Sequence, residues 1–206
     1  MEDVLEVYHR PYDQDYPVIC MDESNKQLVA DIIQPIPCGP GKPKRIDHEY
    51  VRKGIADIFI ATEPLTGCVV SRVTETRTRR DWAEFVKHLL ECRYPDAQKI
   101  VLIMDNLNTH GVASFYATYP PEEALRLSKR LEIHYTPKHG SWLNVAEIEL
   151  SALTVQCLDR RFEDIDELTT EVTAWEAHRN ARHRPTNWQF KAADARIKLK
   201  SVYPQI

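Results

Sequence analysis

The sequence predicts an α/β domain: a mixed five-stranded sheet flanked by helices. Three strand-like runs, at residues 18–21, 55–62 and 68–76, precede the first helix-like segment. After them the apolar pattern alternates between helical spacing and short continuous runs, the mark of strands joined through helices. A length of 206 residues, 43% hydrophobic and 28% charged, is enough for one domain with a sizeable core. Residues 1–206 are therefore read as a single domain, with about 1–17 as an N-terminal extension and about 159–206 as a C-terminal helical appendage.

Val18, Ile19, Cys20 and Met21 make a short buried strand. Residues 34–44 concentrate Pro35, Pro37, Gly39, Pro40, Gly41 and Pro43, which excludes helix and sheet and leaves a loop. The runs 55–62 and 68–76 are joined by Glu63-Pro64-Leu65-Thr66-Gly67, a hairpin signal. Trp82, Phe85, Val86, Leu89 and Leu90 fall on one face of a helix over 78–92, which Tyr94-Pro95 ends. Residues 99–104 are almost wholly apolar, as expected of a central strand covered on both faces. A helix over 121–130 starts on proline and ends on basic residues, and 131–135 forms the fifth strand. Asn144 and Glu147 form an Asn-x-x-Glu helix start ahead of a stripe of Ala146, Leu150, Leu153 and Cys157. Asp164 and Glu167 repeat that start before Ile165, Leu168, Val172 and Trp175.

The net charge of −4 argues at first against a nucleic-acid partner, since phosphate binding rests on Lys and Arg. Carboxylates that hold a dication count as negative in that sum yet present a neutralised site once loaded. Basic groups also exist locally: Lys42, Lys44 and Arg45; Arg77, Arg79 and Arg80; Arg160 and Arg161; Arg179, Arg182 and Arg184. The five cysteines are widely spaced without a Cys-x-x-Cys pair, which fits small core residues in a reducing compartment. No apolar stretch approaches a membrane span and no leader pattern opens the chain, so a cytoplasmic protein is expected.

Three acidic residues stand in local signatures of their own. Asp22 and Asp105 close apolar strand-like runs, and Glu147 opens a helix. Carboxylates so placed can build a cage for divalent metal, which points to cutting or joining nucleic acid. Phosphodiester cleavage needs an activated nucleophile, in-line geometry and neutralised charge, and two dications roughly 3.5–4 Å apart supply all three. Mg²⁺ prefers oxygen and keeps several waters, so two or three carboxylates suffice. On this scheme Asp22 bridges both ions while Asp105 and Glu147 each complete one shell.

The element order matches the ribonuclease H-like fold, whose first and fourth strands lie side by side and would bring Asp22 to Asp105. The motif Met104-Asp105-Asn106-Leu107-Asn108-Thr109-His110, then Tyr135-Thr136-Pro137-Lys138-His139-Gly140-Ser141-Trp142-Leu143-Asn144, then Ala146-Glu147-Ile148-Glu149 resembles the insertion-sequence branch of the mariner-superfamily DDE transposases of bacteria. The likeness continues through Trp175-Glu176-Ala177-His178-Arg179-Asn180, Trp188-Gln189-Phe190 and 194–199, covering the chain from about residue 18. It implies a catalytic, metal-holding triad of Asp22, Asp105 and Glu147 with two Mg²⁺ or Mn²⁺ ions. It also implies cleavage of double-stranded DNA at transposon ends, transfer of a 3′-hydroxyl into target DNA, and action as a homodimer or higher assembly.

Full-length members carry helix-turn-helix modules before this domain; here only about seventeen residues precede the first strand, so a catalytic domain alone is expected. A related nuclease acting on hybrids or branched DNA, and an inactive remnant that binds DNA or a partner transposase, are the competing readings. Each acid also has a structural role open to it. Asp22 could end a strand in water, Asp105-Asn106 could be a turn, and Glu147 could serve only to cap its helix on Asn144. Glu23 and Glu149 are fallback ligands, although Glu149 lies about 200° around the helix from Glu147. Asn106, His110, His139, Ser141 and Asn144 are candidate supporting or substrate contacts, and Arg179 and Arg182 candidate DNA contacts. Trp142, Trp175 and Trp188 are read as packing residues.

Overall fold

The computed structural model describes residues 1–107, 110–138 and 140–200. The sheet has five strands in the order β3-β2-β1-β4-β5: β1 (Val18–Asp31), β2 (Tyr50–Glu63), β3 (Cys68–Thr74), β4 (Ile100–Met104) and β5 (Leu131–Tyr135). The first three form an antiparallel meander, and β4 and β5 then join parallel to β1. The predicted mixed five-stranded sheet is thus the observed one.

Alternation along the strands sends side chains into two cores. Cys20, Ile58, Ile60, Val101 and Ile103 face α1 (Glu2–Tyr8), α5 (Ala146–Leu153), α6 (Ile165–Asn180) and α7 (Ala192–Lys198). Ile19, Met21, Phe59, Leu102 and Met104 face α2 (Arg79–His88), α3 (Val112–Thr118) and α4 (Pro121–Ser128). Helix α2 starts at a reciprocal capping box, in which Thr78 accepts from the Asp81 amide and the Asp81 carboxylate accepts from the Thr78 amide. Its helical course continues as a π turn over Leu89–Arg93, so the predicted span of 78–92 is met by two segments.

Several elements exceed the sequence reading. Strand β1 runs ten residues past Met21, because its polar second half is held by backbone pairing to β2 as far as Asp31↔Tyr50. The proline-rich loop closes on itself through bridges Ile36↔Arg45 and Gly39↔Lys42. The sequence predicts neither α1 nor α3; each has only seven residues, too few for periodicity to declare itself. Helix α1 is nevertheless integral, since Val4, Leu5, Val7 and Tyr8 are all buried in the first core. Leu5→Ala is expected to cost about 2–5 kcal/mol in urea unfolding, the range for a fully buried leucine; a loss below about 0.5 kcal/mol would mean that α1 does not belong to the cooperative core.

The edge strand β3 is covered by side chains of α6. Asn180 both donates to the Val69 carbonyl and accepts from its amide, each at 2.8 Å, and Glu176 accepts from the Ser71 amide at 2.7 Å. Edge pairing with a second chain is thereby blocked along these residues. At the β2–β3 turn Gly67 adopts φ +70°, and a Cβ there would stand 2.5 Å from the Arg184 backbone, so both conformation and packing demand glycine. Among the described residues, no helix is long and apolar enough to cross a membrane.

Candidate active site

The parallel register of β1 and β4 ends at Cys20↔Ile103. Two residues further along both strands lie Asp22 and Asp105, so the register sets them side by side at the point where β4 stops and β1 turns to β2 alone. Carboxyl ends of adjacent parallel strands are where such sheets open to ligands. Asp22 shares the parity of Cys20 and so faces α5; Glu23 shares that of Met21 and faces α2.

Both oxygens of Asp22 are held. One accepts from the Glu23 amide at 2.8 Å, the other from Asn144 Nδ2 at 3.2 Å. Asn144 is almost fully buried and also donates to the Met21 carbonyl at 2.9 Å, while its Oδ1 accepts from the Ala146 amide at 3.2 Å. This asparagine thus ties the start of α5 to β1. Tyr8 completes the tie. Its hydroxyl donates to the Leu143 carbonyl at 2.6 Å, accepts from the Val145 amide at 3.2 Å and lies 3.2 Å from Cys20 Sγ. Burial pushes the Cys20 thiol up to about 12 and the Tyr8 phenol higher still than its ordinary value, so both stay neutral. The sequence carries no signal for this positioning role of Tyr8, an isolated tyrosine in a short apolar run.

Helix α5 is capped by Val145 without a side-chain bond, so the expected Asn144–Glu147 capping box does not form. The Asn144 Oδ1 accepts from the Ala146 amide rather than the Glu147 amide, and its Nδ2 is drawn to β1. The Glu147 carboxylate is therefore not spent on a cap, and it lines a shallow depression of about 380 Å³ with Asp22, Glu23 and Ser24. A larger cleft of about 490 Å³ lies away from these acids, between the end of β1 and Lys44, Arg160 and Arg161. A polymer bound by its phosphates needs an accessible ledge rather than an enclosing pocket, so charge locates this site better than volume.

Burial pushes Asp22 up to about 7, the Glu23 amide bond partly offsets this, and the charges of Glu147, Glu23 and Asp105 raise it further. A carboxyl raised by burial and by neighbouring carboxylates is short of a cation, and its oxygens suit a hard dication. Glu23, Asp57 and Glu63 are also raised, chiefly by burial, whereas Asp81 and Glu132 are lowered. A raised carboxyl stabilises the fold below its unfolded value near 3.8, and that stability is lost as pH rises through about 7. Metal-free Asp22→Asn is therefore expected to be more stable than wild type at pH 8, by on the order of 3 kcal/mol, with little difference at pH 4. Thermal unfolding in chelator at both pH values tests this, and equal stability at pH 8 would refute a cost for the buried Asp22 charge.

The other predicted residues separate. Asn106, Ser141 and Arg182 are exposed and open to a substrate, and His139 lies outside the described residues. His110 is buried beside Glu23 and Asp105. Arg179 makes a two-pronged ion pair with buried Glu149, both contacts at 2.7 Å, which engages its guanidinium and removes Glu149 as a fallback ligand. Trp188 stacks on Tyr8 with centroids 5.1 Å apart, and Trp142 packs on Trp188 and Phe190 while staying half exposed. Trp175 is buried in the first core.

Residues 17–169 match the family model described as DDE superfamily endonuclease. No curated protein matches. Among solved structures, the chain is similar to the Mos1 mariner paired-end complex with Mn, with TM-score 0.58 and 18% identity over 88% of this chain and 55% of that one. It is also similar to the Mos1 strand transfer complex, with TM-score 0.56 and 15% identity over 85% of this chain and 51% of that one. This chain therefore spans about half the length of those transposase chains.

Proposed function

Because the chain belongs to the DDE superfamily endonucleases, we propose that it is the catalytic domain of an insertion-sequence transposase, cutting double-stranded DNA at transposon ends and joining the 3′-hydroxyl to target DNA. Asp22, Asp105 and Glu147 are its catalytic residues and hold two ions, Mg²⁺ or Mn²⁺. The observation that carries this reading is Asp22 itself: held at both oxygens, aligned with Asp105 by strand register, and pushed up to about 7 among carboxylates. The metal structures of the Mos1 complexes, with Mn and with Mg, support the choice of ion by similarity.

Bound dications would supply an activated nucleophile and offset charge on the leaving oxygen. The residues' own contribution is orientation. Asn144 and the Glu23 amide fix the Asp22 carboxylate, and Tyr8 with Asn144 fixes the start of α5 and hence Glu147. Asn106 and Ser141, exposed and close in sequence to Asp105 and Asn144, are candidate DNA contacts, and exposed Arg182 would meet DNA from a separate depression that it lines with Arg160 and His178. Joining two DNA ends calls for at least a dimer, and a protein with this role would act in the cytoplasm with its DNA.

The test is cleavage of supercoiled plasmid and of paired-end DNA with Mg²⁺ or Mn²⁺. Metal-dependent cutting that needs Asp22 and Asp105 is expected. Cutting that survives Asp22→Asn or Asp105→Asn, or confinement of activity to RNA–DNA hybrids, would overturn the proposal.

A further inference from the structure

We propose that Glu23, Asp105 and His110 form a further dication site on the α2 side of the sheet, one that accepts a nitrogen ligand and so favours Mn²⁺ or Zn²⁺ over Mg²⁺. It goes beyond the cleavage reading, since it stands on its own geometry and shares only Asp105 with the triad. Ligand atoms of the three residues all lie within 4.8 Å of one another. His110 Nδ1 is 3.7 Å from Glu23 Oε2 and 3.9 Å from Asp105 Oδ1. These gaps are too long for hydrogen bonds. They match the spacing between ligands around an ion with bonds of roughly 2.1 Å, which runs from roughly 3.4 Å in a tetrahedron to roughly 4.2 Å across an octahedron.

The histidine is the independent sign of a ligand. Its side chain is 1% exposed, and neither ring nitrogen has a hydrogen-bond partner among the described residues. A buried, unpaired imidazole is costly unless something fills the gap it faces. Its ring is held by packing, stacked on Trp82 at 6.1 Å with 15° between planes and set against Phe59 at 6.2 Å. The Glu23 side chain is 4% exposed, and its other oxygen faces Arg77 at 4.0 Å, which orients Oε2 toward the histidine. Asp105 is 38% exposed and leaves a path for the ion. Carboxylates alone suit Mg²⁺, whereas imidazole shifts preference toward first-row transition metals.

The experiment is pulsed electron paramagnetic resonance of Mn²⁺ bound to the full chain carrying ¹⁵N-histidine, with no DNA present. A directly coordinated imidazole nitrogen is expected, lost in His110→Gln and also in Glu23→Gln, each confirmed as folded by circular dichroism. Glu23→Gln should weaken Mn²⁺ at this site by at least about 10–100-fold, the loss expected when even an outer partner of a ligand is removed. Asp22→Asn should leave the nitrogen signal intact, which separates this site from the cleavage triad. Absence of nitrogen coupling in wild type, coupling that survives His110→Gln, or coupling that depends on Asp22 and not on Glu23 would overturn the proposal. Failure of the cleavage reading would show differently, as DNA cutting indifferent to Asp22→Asn with the nitrogen signal unchanged.

Discussion

Asp22→Asn, Asp105→Asn and Glu147→Gln are each expected to lower metal-dependent DNA cleavage about a thousandfold or more, equivalent to about 4 kcal/mol of transition-state stabilisation. The substitutions change one atom each and preserve shape, so lost activity would reflect lost charge. Combining two of them should cost little more than one, because ligands of a shared metal centre act as a unit. Asn144→Ala should cost less, about tenfold to a hundredfold, since it releases one oxygen of Asp22 and the start of α5 without removing a ligand. The comparison is quantitative: if Asn144→Ala proved as damaging as Asp22→Asn while the protein remained folded, the asparagine would be touching substrate. If Glu147→Gln retained full activity, the third acid would have to be sought elsewhere, and Glu149 is already engaged by Arg179.

The legible parts of this molecule are those in which one kind of force acts alone. Residues 100–104 are apolar because β4 is covered on both faces, and the pattern Trp82, Phe85, Val86, Leu89 and Leu90 exists because one face of α2 and of the π turn after it packs on the sheet. The second half of β1 is different: Glu23, Ser24, Asn25, Lys26 and Gln27 owe their strand geometry to β2, which a local reading cannot see. The acids were legible as a motif, but their surroundings were not. That Asn144 would bond Asp22 through Nδ2 while its Oδ1 takes the Ala146 amide, with no reciprocal box to Glu147, depends on a contact 122 residues apart in the chain. That Glu23 and Asp22 serve opposite faces follows from alternation alone once β1 is known to continue through them.

Arg179→Ala is expected to destabilise the fold by about 3–5 kcal/mol, the cost of leaving a buried carboxylate without its partner. Glu149 is 3% exposed, and both its oxygens accept from Arg179 at 2.7 Å. Arg179→Lys should recover only part of this, because a single ammonium cannot reproduce the two parallel bonds. Replacing both partners, as in Glu149→Leu with Arg179→Met, should restore most of the stability, since two apolar side chains leave no charge to solvate. Arg182→Ala, at an exposed position in the same basic stretch, should stay within about 0.5 kcal/mol of wild type and instead reduce the salt dependence of DNA binding. Urea unfolding and salt-dependent binding separate the two arginines, and equal behaviour of both would contradict the structure. The pair bears on chemistry as well, for Glu149 sits two residues beyond Glu147 and its bond to α6 fixes the rotation of α5. A refolded, stable double variant should therefore still cut DNA more slowly than wild type, because Glu147 then rests on the Asn144 contacts alone.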